Sequence, residues 1–172
     1  MDNLEIGTDV LVLSNQGQLT YSPVIAFMEK DTKLEYMYTT IETENGTTLT
    51  LTRSHLIYRA NHRNYVFQKP ENVLPIYITK IKVSDYVFTL SKEHNQVQPS
   101  KVVKVTNIKK MGVYAPLTLE GTVVVDGVLT SCYAVIDDNH LAHTTLRFLY
   151  HFMPNLLMKN HSNTLGICTV NY

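Results

Sequence analysis

Thr52 and His55 stand three residues apart in Leu51-Thr52-Arg53-Ser54-His55-Leu56, at the end of an alternating apolar run. On an extended strand, residues three apart point to opposite faces, so the two can converge only if the chain tightens into a turn between them. Converged, they would offer one hydroxyl and one imidazole to a single peptide group. Such pairs are frequent, and the spacing alone assigns no activity. Cys132 lies on an apolar run, where a cysteine is most often a small buried hydrophobe. Glu29, in the charged stretch Glu29-Lys30-Asp31, reads by itself as a solvated acid. His62, His94, His140, His151 and His161 fit no metal-ligand spacing, and Cys132 and Cys168 form no CxxC pair. Neither a metal nor another cofactor is expected.

The elements that must carry these groups are strands. Val10 to Leu13 is broken by Ser14-Asn15-Gln16-Gly17 and resumes from Leu19 to Phe27, a hairpin pattern. After a charged bend at Glu29 to Lys33, Tyr36 to Glu42 and Thr47 to Thr52 alternate on either side of Asn45-Gly46, the signature of a type I′ turn. Tyr65 to Phe67 and Val73 to Ile78 read as short strands, the second near an edge because of Pro75. Asp85 to Leu90 and Gln96 to Ile108 follow. The stretch from Met111 to Ile136 then holds two β-rich runs, Val123 to Val125 and Leu129 to Ile136, around the turn Asp126-Gly127. From Leu141 the spacing of Leu146, Leu149, Phe152 and Met153 is helical and ends at Pro154.

The chain repeats itself once. Gly121-Thr122 aligns with Gly46-Thr47 at a separation of 75, Ser84-Asp85 with Thr8-Asp9 at 76, and Ser100 with Ser22 at 78. A long period present only twice is no solenoid and reads as a duplicated β unit in one body. A chain of 172 residues is long enough for one domain with a sizeable core. Fifteen basic and fifteen acidic residues leave no field to attract nucleic acid. Met1 to Val12 lacks the basic start and apolar core of a signal peptide, and no apolar run is long enough to span a bilayer.

Several words of the sequence share residues and order with one family. Gly112-Val113-Tyr114-Ala115-Pro116-Leu117-Thr118, then Gly121-Thr122 opening an apolar strand, then Ser131-Cys132-Tyr133-Ala134-Val135-Ile136, resembles the last block of the Hint domain of Hedgehog proteins. Thr52 and His55 match that family's TxxH block, with Ile6-Gly7-Thr8-Asp9-Val10-Leu11 upstream, an acid following Ala26-Phe27-Met28, and Leu141-Ala142-His143 downstream. The resemblance implies an all-β Hint fold, a disc-like pseudo-twofold body, with residues 1–140 as the β domain and residues 141–172 as a short helix and tail from a partial sterol-recognition region.

It also implies a chemistry. In intact members, which are self-cleaving cysteine-dependent acyl transferases, a cysteine at the first position of the domain attacks the carbonyl before it, and a sterol hydroxyl then displaces the thioester sulfur. By this resemblance His55 donates a proton to the departing amide nitrogen, Thr52 holds the scissile group, and Cys132 is a partner thiol near the nucleophile. Glu29 stands where the family usually has an aspartate that takes the sterol proton; a working base and a solvated acid both remain open for it. The family's nucleophile belongs to a segment before the one matching Leu4 to Val12, so the chain alone is expected not to self-cleave. Its partners would be an upstream domain of the same polypeptide and a sterol, its location the secretory pathway or cell exterior, and its state monomeric. The alternative is a non-catalytic Hint-like domain serving as an interaction or sterol-binding module.

Overall fold

The computed structural model describes residues 4–91 and 96–134. The helix expected from Leu141, the tail, Cys168, and His94, His140, His143, His151 and His161 lie outside the described residues. Within them nine strands form one sheet system: β1 (Asp9–Leu13), β2 (Leu19–Thr43), β3 (Thr48–Thr52), β4 (His55–Ala60), β5 (Pro75–Tyr77), β6 (Tyr86–Leu90), β7 (Val97–Thr118), β8 (Thr122–Val125) and β9 (Val128–Ala134). The order is β1-β2-β7-β6-β4-β9-β8, with β3 paired to β2 and β5 to β4. Two 3-10 turns, Pro70–Asn72 and Ile78–Lys80, are the helical elements among the described residues.

β2 and β7 are the long members, paired antiparallel from Val24 opposite Thr118 to Thr43 opposite Val102. The charged bend expected at Glu29 to Lys33 is therefore not a break. Glu29, Lys30 and Asp31 pair with Ala115, Tyr114 and Val113, and the strand bulges just beyond, where Thr32 to Leu34 face the single residue Gly112. The Asp31 carboxylate accepts from the amides of Lys33 and Leu34, which shapes the bulge. Gly112 has φ of 75°, and a Cβ there would stand 2.9 Å from the Asp31 carbonyl oxygen. Only glycine fits without displacing the facing strand.

The duplication is visible in matching hydrogen bonds. Thr43 Oγ1 donates to the Thr47 carbonyl at 2.9 Å, and Thr118 Oγ1 donates to the Thr122 carbonyl at 2.9 Å, 75 positions later. Each corner carries a glycine at positive φ, Gly46 and Gly121. At the other end, Gly7 donates to Val24 and Val24 to Thr8, while Ser84 donates to Val102 and Val102 to Asp85. Gly7 and Ser84 both have positive φ, 91° and 80°. Structural equivalence thus sets Gly7 against Ser84, one residue from the alignment that the sequence words suggested.

Two clusters of side chains form the core, one on each side of the central strands. Ile57, Val87, Val128 and Cys132 belong to the first with Ile25, Ile41 and Leu49; Tyr58, Phe88 and Leu129 belong to the second with Leu13 and Phe67. Successive residues of β4, β6 and β9 therefore enter opposite clusters, as the pleat requires, and these strands read as apolar runs because both faces are covered. The segment Tyr65 to Phe67 is not a strand. It is held by rings: Phe67 meets Phe88 edge-on at 4.6 Å and Tyr58 at 5.6 Å, and Tyr65 meets Phe88 at 5.8 Å.

Candidate functional site

The turn between β3 and β4 builds the site. Thr52, the last residue of β3, pairs with Tyr38 of β2, and His55, the first of β4, pairs with Ala134 of β9. Arg53 and Ser54 carry the chain across, with the Arg53 amide donating to the Met37 carbonyl at 3.3 Å. This tight reversal brings Thr52 Oγ1 to 2.5 Å from His55 Nδ1. Ser54 Oγ is 3.2 Å from the same Thr52 oxygen. Both Thr52 and His55 are buried.

Burial sets the protonation of the imidazole. Desolvation disfavours the charged form and pushes His55 down from 6.5 to about 4, so the ring is neutral at physiological pH. The unfolded state, with an ordinary histidine, takes up a proton first as pH falls. The stability tied to this neutral site is thus full above pH 6.5 and is lost as pH drops through about 4. Urea denaturation at stepped pH should show His55 contributing a slope of roughly 1 kcal/mol per pH unit in that window. His55→Gln should remove that part of the slope; a slope unchanged in the variant would mean the ring is charged or solvated in the folded protein.

Cys132 is on β9, the strand that pairs with β4, but its thiol does not face His55 through a hydrogen bond. Thr118 Oγ1 lies 3.4 Å from Cys132 Sγ, and the Cys132 amide donates to the Gly121 carbonyl at 3.0 Å. Desolvation in the core pushes the thiol up to about 11, against smaller opposing effects from Thr118. Almost no thiolate exists at neutral pH, and nucleophilic attack requires thiolate. Iodoacetamide should leave Cys132 unmodified in the folded protein and modify it in urea, as read by peptide mass mapping that separates it from Cys168. Rapid labelling under native conditions would contradict the buried thiol.

Glu29 is on the β2–β7 ribbon. It is half-buried on β2 opposite Ala115, with its carboxylate near enough to the Tyr36 hydroxyl to act on its titration. Burial first, and the Glu29 carboxylate second, raise Tyr36 to about 12. Tyr38 is also raised, by burial and by the fields of Glu29 and Tyr114, and its hydroxyl donates to the Gly112 carbonyl. Lys30 Nζ sits 4.6 Å from the centroid of the Phe27 ring. The structure thus unites Thr52 and His55, places Cys132 on the neighbouring strand with its sulfur on Thr118, and sets Glu29 among tyrosines that include Tyr38, the strand partner of Thr52. His62 is exposed beside Tyr65.

Pattern reading overlooked Ser54 and Thr118. Thr118 had a signal, since it occupies the same place in Thr118-Leu119-Glu120-Gly121-Thr122 as Thr43 in Thr43-Glu44-Asn45-Gly46-Thr47. Among the described residues no group of three or more His, Cys, Asp or Glu is arranged to hold a metal ion. A polar concavity of about 520 Å³ lies between Glu44, Asn45, Arg63, Asn64, Gln98 and Ser100, and it includes none of the four candidate residues.

A duplicated β body of this topology, with a Thr–His pair on the turn from β3 to β4, is the architecture of a Hint module. The sequence model of that family matches residues 1–168, and the chain belongs to the Hint module family. Within it the chain is of the Hedgehog type. It is 37% identical over 144 residues to protein hedgehog of Drosophila ananassae, covering 83% of this chain and 29% of that protein. It is 32% identical over 173 residues to protein hedgehog of Drosophila pseudoobscura pseudoobscura, covering 97% and 35%. The chain therefore spans about a third of the length of these relatives. Among solved structures, the DnaB intein from Synechocystis sp. PCC 6803 superposes with a TM-score of 0.58 at 12% identity, covering 78% of this chain and 84% of that one. The gp41-1 intein gives 0.54 at 17% identity, covering 76% and 84%. At these identities the likeness is one of fold.

Proposed function

We propose that this domain, when joined to a preceding segment that opens with cysteine, performs cysteine-dependent self-cleavage with acyl transfer, acting on the peptide bond that joins that segment to an upstream domain of the same polypeptide. The observation that carries the reading is the buried Thr52–His55 pair with its neutral imidazole. An attacking thiol must lose its proton, and a neutral ring nitrogen can take it, whereas an imidazolium cannot. Sulfur then bonds to the carbonyl carbon, the carbon–nitrogen bond breaks, and His55 returns the proton to the departing amine. The products are a thioester and a free amino group.

Cys132 is not that nucleophile. The shift requires sulfur on the residue whose own amide is broken, and the Cys132 amide lies inside β9, bonded to Gly121. The thiol comes instead from a cysteine that opens the segment ahead of Leu4. In the second step a sterol hydroxyl gives its proton to Glu29, its oxygen bonds to the thioester carbon, and the sulfur leaves. The half-buried Glu29 carboxylate, on the strand that also carries Tyr38 beside Thr52, supports that role. The family likeness supports a protein of the secretory pathway or cell exterior.

The test extends the chain at its amino end with a reporter domain and a segment beginning in cysteine, placed ahead of Leu4. Added dithiothreitol and added cholesterol should each release the reporter, the second leaving it esterified. Glu29→Gln should cut sterol-dependent release by about a hundredfold, the order of a general base, and leave thiol-dependent release near the parent rate. Equal loss in both assays would show Glu29 to be structural, and no release with either would remove the proposal.

A further inference from the structure

The Thr52–His55 pair has a third member. Ser54, half-buried in the turn, has its oxygen 3.2 Å from Thr52 Oγ1, which in turn stands 2.5 Å from His55 Nδ1. Among the described residues these are the two partners of that threonine oxygen. A hydroxyl carries one proton and can donate once. Two directions of bonding are therefore available. In one, Ser54 donates to Thr52 and Thr52 donates to Nδ1, which places the ring proton on Nε2. In the other, Nδ1–H donates to Thr52 and Thr52 donates to Ser54, which leaves Nε2 as a free base.

We propose that Ser54 is a positioning residue for His55: by accepting the Thr52 proton it admits the tautomer that carries hydrogen on Nδ1 and keeps Nε2 open. Without the serine oxygen, a Thr52 proton turned away from Nδ1 is a buried donor with no acceptor. An unused lone pair on the same oxygen costs less than an unused donor proton. Loss of Ser54 therefore drives Thr52 to donate to Nδ1 and locks the ring proton on Nε2. The inference deepens the self-cleavage reading, because the open Nε2 is the atom that takes the thiol proton there. Its structural content does not depend on that reading.

Tautomers are read directly by nitrogen-15 shifts of the imidazole in a long-range proton–nitrogen spectrum. The full chain, labelled at its seven histidines, is used above pH 6.5, where His55 is neutral. His55 signals are assigned by their loss in His55→Gln. Ser54→Ala is expected to lower the ratio of Nδ1-protonated to Nε2-protonated His55 by about fivefold, the order set by one neutral hydrogen bond. Ser54→Gly should do the same, and Ser54→Thr, which keeps the hydroxyl, should restore the wild-type ratio. A wild-type ratio in either folded variant lacking the hydroxyl would overturn the proposal. So would a ratio in Ser54→Thr that matches Ser54→Ala. Failure of the cleavage reading is separate: it would appear as reporter release indifferent to His55 and would leave these ratios unchanged.

Discussion

His55→Ala is expected to slow thiol-induced release of an upstream reporter by about 10²–10⁴-fold, the range that a positioned acid–base group contributes. The size follows from the local arrangement. The departing nitrogen must be protonated as its bond to carbon breaks, and the His55 ring, neutral in the resting site, is the group of the turn that can accept a proton and pass it on. Bulk water can still deliver a proton, which is why a residual rate should survive. Thr52→Val keeps the ring but removes the hydroxyl at 2.5 Å that orients it, and should cost less, about tenfold, as a loosened rather than absent group. Release would be followed on denaturing gels over time, with circular dichroism confirming that each variant stays folded. A His55→Ala rate equal to the parent would show that cleavage does not pass through this turn.

Thr122→Val is expected to cost about 3 kcal/mol of folding free energy. Thr122 is fully buried on β8, and its hydroxyl donates to the Leu13 carbonyl at 2.7 Å while accepting the Leu13 amide at 3.0 Å. One side chain thus serves both backbone groups of the last residue in β1 and fastens that strand to the far hairpin. Valine fills the same space without the oxygen, so two buried backbone groups lose this partner at once. Thr122→Ser, which keeps the oxygen, should recover most of the loss. Urea midpoints would decide the matter: a Thr122→Val midpoint equal to wild type would mean that packing alone joins the two strands.

Much of this body was written in local words. Asp126-Gly127 between apolar runs produces a two-residue hairpin with Val125 opposite Val128 and both turn residues at positive φ, 48° and 77°. Pro75 begins β5, an edge strand paired to β4. Asn45-Gly46 gave the right hairpin with the wrong turn. The loop closes between Thr43 and Thr47, only Gly46 of the two has positive φ, and the Asn45 side chain accepts from the Thr47 amide and donates to the Thr89 hydroxyl. β4 was not foreseen at all, because His55 to Ala60 is covered on both faces and shows no alternation. β7 runs ten residues past the expected end at Ile108 to Thr118, since its partner β2 continues opposite it. At the site, Thr52 and His55 can converge only through a tight turn, and the chain makes that turn between them. The seating of the Cys132 sulfur on Thr118 was not legible, because it depends on a corner that closes through tertiary contact.

The long antiparallel embrace of β2 and β7 bears on when the molecule comes into being during synthesis. Every rung of that ladder joins residues from different halves, so the ribbon cannot close until the second half has been made. His55 waits longer still, because its strand partner is the last stretch described. Translation order thus acts as a clock: the turn that holds Thr52 and His55 is fastened into the sheet on its β4 side only after β9 has been made.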